Sequence, residues 1–105
     1  MEPMPRFKSS RASILAAKNE REVRRVLEEA VSGLDGEEMR SLPDECQRAL
    51  TEKDLHAAAV LMLRCDLMHR GEAQAGELLR QLAELYASAS VRLSQLERPA
   101  LPASD

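Results

Sequence analysis

From Ala57 to Leu63 the chain reads Ala-Ala-Ala-Val-Leu-Met-Leu, two helical turns without a polar side chain. A helix that is apolar all round belongs inside a bundle, where neighbours cover each of its faces. The run therefore predicts a central helix over residues 55 to 68, enclosed on all sides and withdrawn from the surfaces open to a partner. Thr51-Glu52-Lys53-Asp54 precedes it in the form of a cap, with acids placed to meet the helix dipole. The helix is expected to run to His69 or Arg70 and to stop at Gly71.

Beyond Gly71 the pattern becomes a one-sided stripe. Leu78, Leu82, Leu85, Ala89, Arg92 or Leu93, and Leu96 follow a three-four spacing, on a helix reading from Glu72 to about Arg98, where Pro99 halts it. Gly76 is a weak point near its start. Together the two segments predict an antiparallel helical hairpin around Gly71. At about 1.5 Å per residue the first helix is roughly 28 Å long and the second roughly 40 Å. A turn or two of the last helix must then overhang and pack on the first helix, on another subunit, or on nothing. With fewer than three clean heptads, the stripe reads as a bundle seam in preference to an intermolecular coiled coil. Its edge, Leu82, Leu85, Ala89, Leu93 and Leu96, is nonetheless the face expected to meet a protein partner or a second copy.

Upstream, Val23, Val26, Leu27, Ala30, Val31 and Leu34 form one helical face. That helix starts at Ser9 or Ser10, or restarts at Asn19, where Asn19 and Glu22 have capping-box spacing, and Gly33 and Gly36 mark its end. Between them and the central helix, Asp35-Gly36-Glu37-Glu38 opens a turn through Met39. Ser41-Leu42-Pro43-Asp44 then leads into a short helix that carries Cys46, Ala49 and Leu50 inward. The expected fold is all-α: a small bundle of three long helices plus one short one, in a single domain over residues 9 to 98. Pro3 and Pro5 mark residues 1 to 8 as a disordered basic tail, and Pro99 to Asp105 as a second tail. A tetratricopeptide-like array is not indicated, because the aromatic and proline positions of that repeat are missing.

Composition supports an aliphatic helical core. Hydrophobic residues make up 44% and charged residues 31%, with no Trp, one Phe and one Tyr, Phe7 and Tyr86. A chain of 105 residues can bury such a core without metal or disulfide help. The amino-terminal residues MEPMPRFKSS lack the apolar stretch of a signal peptide, and no apolar run is long enough to span a bilayer. A cytoplasmic setting with reduced Cys46 and Cys65 is the expectation, with no membrane partner.

Charge is less even than the net −3 suggests. Residues 1 to 25 hold seven basic side chains and three acids, whereas the rest sums to −7. Arg21 and Arg25 share a helical face, with Arg24 beside them, and Arg6, Lys8 and Arg11 extend this ridge as an arm. Phosphates of a nucleic acid are one partner for such a ridge. The other reading is a solvated face braced by pairs such as Glu20 with Arg24 and Arg21 with Glu28. An acidic chain, no stacking aromatics and no recognition helix after a tight turn weigh toward the second.

Site chemistry is sparse. Cys65 and His69 share a face, and Cys46 and His56 are ligands of the right type, but the spacing is not that of a zinc knuckle. Adjacent carboxylates at Glu28/Glu29, Glu37/Glu38 and Asp44/Glu45 splay apart on a helix. Ser88, Ser90 and Ser94 have no activating His or Lys close in sequence. No catalytic residue, metal or cofactor is expected. Met39, Met62 and Met68 supply adaptable apolar surface, ordinarily core filler. The sequence thus points to a non-enzymatic protein-protein interaction module, an adaptor, chaperone or regulatory subunit, self-associating as a homodimer or bound to a protein through the last helix. The alternative is a nucleic-acid-associated regulator using the basic arm and first helix.

Overall fold

The structure is a computed structural model that describes residues 7–69 and 75–97. All its regular structure among these residues is helical: α1 (Lys8–Ala16), α2 (Glu20–Ser32), α3 (Gly36–Ser41), α4 (Asp44–Thr51), α5 (Leu55–Met68) and α6 (Ala75–Glu97). The expected bundle is thus all-α but more finely divided than three long helices and one short. Residues 1–6, 70–74 and 98–105, which include the expected turn at Gly71 and most of both expected tails, lie outside the described residues.

Asn19 divides the first helix in two. Its side chain accepts a hydrogen bond from the Glu22 backbone N–H at 2.9 Å, while the Glu22 carboxylate accepts from the Lys18 N–H at 2.8 Å. An Asx side chain that satisfies first-turn donors starts a new helix in preference to continuing an old one. Upstream, α1 begins at Lys8 with Phe7 buried as its cap residue, so part of the expected tail belongs to the fold. Ile14 and Ala17 are its buried anchors.

The expected single short helix is likewise two. Asp35 accepts from the Glu38 N–H and Glu38 accepts from the Asp35 N–H, a reciprocal capping box that makes Gly36 the first residue of α3, not the end of α2. Pro43 then caps α4, whose first turn carries Asp44 and Glu45 against the helix dipole. Cys46 and Ala49 turn inward as expected. The cap of α5 falls at Asp54, whose carboxylate accepts from the His56 and Ala57 N–H groups; Thr51 is instead the last residue of α4.

The packing of α5 on α6 is the most extensive in the molecule, and α4 leans on α5 while α1 and α2 both lie against α6. His56, at the start of α5, touches Ser90 and Glu97 near the end of α6. At about 1.5 Å per residue the 14-residue α5 is roughly 21 Å long and the 23-residue α6 roughly 34 Å. α6 is thus the longer of the two, and α1 and α2 also lie against it, with Arg92 Nε donating to the Ala17 carbonyl at 2.8 Å.

Two thiols and one phenol, three of the ionisable groups that this fold buries, are sealed in the core. Burial pushes the Cys46 thiol up from 9.0 to about 12, with the neighbouring Cys65 adding to it, and its Sγ lies 3.3 Å from Met62 Sδ. Burial also raises Cys65, and lifts Tyr86 from 10.0 to about 12. All three are neutral in the fold, so from pH 9 upward the unfolded chain releases protons that the folded chain retains. The stabilisation is complete below about pH 9 and is lost as pH rises toward about 12. Urea midpoints should accordingly hold between pH 7 and 8.5 as far as these groups contribute and fall steeply by pH 10.5. The Cys46→Ala variant should show a shallower fall.

Candidate interaction surface

The inward side of α5 is made by Leu55, Ala58, Ala59, Met62 and Cys65, all buried. Its opposite side is also apolar, and it faces solvent. Val60 is 55% exposed, Leu63 41%, Leu67 63% and Met68 61%. Positions 60, 63 and 67 lie on one helical face, so these side chains form a continuous stripe. Arg64 stands within it, exposed and without an ion pair among the described residues. The expectation that this run is enclosed on all sides is therefore overturned. It fails because α6 and α4 cover only part of the circumference of α5.

The residues expected to form the edge of the last helix lie elsewhere. Leu82, Leu85 and Ala89 are fully buried, Leu93 is 4% exposed, and Leu96 packs partly buried against the same core. These side chains fill the fold's own interior, because α1 and α2 occupy the space the sequence left open for a partner.

Arg21, Arg24 and Arg25 line one open depression on α2 together with Glu20 and Glu28, while Arg11 lies on α1. Arg11 pairs with Glu84 at 3.4 Å. Arg24 is held twice, by Glu20 at 2.7 Å and by the Lys53 carbonyl at 2.7 Å. Lys8 is exposed, while Arg21 and Arg25 are exposed and unpaired among the described residues. Arg6 falls outside them.

One constellation was invisible in the sequence. Ser90 Oγ lies 2.7 Å from His56 Nδ1, and His56 Nε2 lies 3.3 Å from Glu97 Oε1. The order is that of a nucleophile, a base and an orienting carboxylate. Among the described residues no backbone donor pair stands beside it to hold an oxyanion. Ser90 sits inside α6, where backbone N–H groups are committed to the helix, and the His56 and Ala57 N–H groups are taken by Asp54. We read the trio as a polar clasp between the start of α5 and the end of α6. It also directs His56 to α6, away from the Cys46 thiol, which faces Met62. No cluster of three His, Cys, Asp or Glu side chains suited to a metal occurs among the described residues.

A cleft opens between α2 and the α4–α5 junction, with a volume of about 510 Å³. Leu27, Val31, Leu50 and Leu55 line it, and Tyr86 reaches it from α6. The strap from Arg24 to the Lys53 carbonyl joins its two sides.

Among the described residues no helix is long and apolar enough to cross a membrane. Comparison with protein families, curated proteins and solved structures found no match, so the functional reading rests on these surfaces alone.

Proposed function

We propose that this chain is a non-enzymatic protein-protein interaction module, an adaptor, chaperone or regulatory subunit, and that it docks through the outward face of α5. The observation that carries the reading is the stripe of Val60, Leu63, Leu67 and Met68, all more than 40% exposed on a helix whose other side is core. Single exposed leucines are ordinary on a protein surface, but adjacent ones on one helical face mark a surface meant to be covered. A helix of a partner, aliphatic toward the stripe and bearing a carboxylate opposite Arg64, has the matching chemistry. Self-association is the simplest form of this, because a second copy brings an equal apolar face. In this reading α5 and α6 form the antiparallel hairpin that holds the stripe rigid.

A nucleic-acid-associated role is the second reading, and it rests on the unpaired, exposed Arg21 and Arg25 of α2. It predicts salt-sensitive retention on DNA that Arg21→Glu with Arg25→Glu abolishes. The interaction reading predicts that this double variant changes nothing in self-association.

Light scattering across a concentration series checks the principal reading. The wild-type mass should rise above the 11.7 kDa of one chain. Leu63→Asp with Leu67→Asp should return it to that value with the helical signal unchanged, since both positions point to solvent. A mass that stays at one chain at every concentration contradicts self-association, and a double variant as heavy as wild type contradicts the α5 face.

A further inference from the structure

Three sulfur-bearing side chains are buried where α4 packs on α5. Cys46 of α4 and Met62 of α5 are fully closed to solvent, and Cys46 Sγ lies 3.3 Å from Met62 Sδ. Cys65, 1% exposed, follows Met62 by three positions and so shares its side of the helix. Its place at the boundary with α4 has a second mark: Cys65 lines a recess of about 120 Å³ together with Glu45 and Arg48 of α4 and with Leu61 and Arg64 of α5. The two thiols are also near enough for the charge of one to oppose ionisation of the other.

The chemistry of this set decides which ion it suits. A thiolate and a thioether are soft donors, and a site that combines them selects copper(I). Zinc in a structural site takes four nitrogen, oxygen or thiolate ligands, and among the described residues no third His, Cys, Asp or Glu stands with the two thiols. His56 is turned instead to Ser90 and Glu97. Both thiols are protonated in the fold, because burial raises them. Entry of the ion therefore forms two sulfur–copper bonds, releases two protons to water and transfers no electron. The product, one monovalent cation on two thiolates, carries a single negative charge. Arg48 and Arg64 outnumber Glu45 around the recess at Cys65, so the local field favours that charge, and the recess itself is a way in. Met62 is unbranched and flexible, which lets its sulfur move aside as the ion enters.

We propose that Cys46, Met62 and Cys65 form a copper(I) site between α4 and α5, with two thiolates and one thioether as ligands. It lies on the inward side of α5, opposite Val60, Leu63 and Leu67, so it is independent of the docking face.

The test is a titration of the full chain, reduced and kept free of oxygen, against the coloured copper(I) complex of bicinchoninate. The chain should withdraw one copper(I), more weakly as pH falls because protons compete for the thiolates, and X-ray absorption at copper should show sulfur neighbours alone. Met62→Leu, which keeps the apolar bulk and removes the thioether, should lower the affinity by at least about tenfold, the least that losing even an outer partner costs a metal site. Cys46→Ala with Cys65→Ala should abolish uptake. Met68→Leu, and Leu63→Asp with Leu67→Asp, should bind as the wild type does, which separates the site from exposed thioether and from the docking face. The wild-type and Met62→Leu readings decide the matter even if the chain without thiols does not fold. The proposal is overturned if no copper is withdrawn, if nitrogen or oxygen ligands surround it, if Met62→Leu binds as tightly as wild type, or if a folded thiol-free chain still takes it up.

Discussion

The seam between α5 and α6 is the contact on which the rest of the fold depends. Met62 on one helix and Leu79, Leu82 and Leu85 on the other are fully closed to solvent, in a chain that has no Trp and a single Phe to contribute to a core. Burying a Leu or Met side chain is worth about 1.5–3 kcal/mol, so these four together contribute an amount comparable to the whole net stability of a typical domain. The remaining helices then distribute unequally. Beyond α5, α6 receives both α1 and α2, whereas α5 has α6 and α4 as its main neighbours. That asymmetry is the structural origin of the open apolar face.

The asymmetry separates two kinds of apolar surface that look alike along the chain. On α6 the leucine stripe is consumed by the fold, and its length serves to carry α1 and α2 rather than to project from the molecule. On α5, Val60, Leu63 and Leu67 remain outside, held by a helix whose inner side is among the best buried parts of the structure. A surface on so rigid an element is pre-organised, and docking to it requires little ordering. The cleft beside α2 has a different character: Leu27, Val31, Leu50, Leu55 and Tyr86 share its lining with Ser32, Thr51 and four charged side chains. The two surfaces share no side chain, and each can be removed without the other.

Much of the secondary structure was legible because its determinants are local. The bounds of the central helix at residues 55 to 68 match α5, and the stripe of α2 buries Val23 and Leu27 as its spacing implies. Asn19 and Asp35 carried explicit start signals, and giving them full weight would have divided the chain into six helices. What the sequence could not express was which sides of an apolar helix acquire neighbours. The all-apolar run of α5 is compatible with full enclosure or with a face left for a partner, and only the placement of α1, α2 and α4 decides. The same holds for His56 and Ser90, 34 positions apart, whose contact exists only in the tertiary fold.

The central claim, that α5 is core on one side and open surface on the other, is tested most directly by its two methionines. Met62 is fully buried and Met68 is 61% exposed, six residues apart on one helix. Dilute native protein exposed to peroxide and read by mass spectrometry should convert Met68 to the sulfoxide rapidly while Met62 stays reduced. Equal rates at the two sites, or faster oxidation of Met62, would contradict the orientation of α5 and, with it, the docking face.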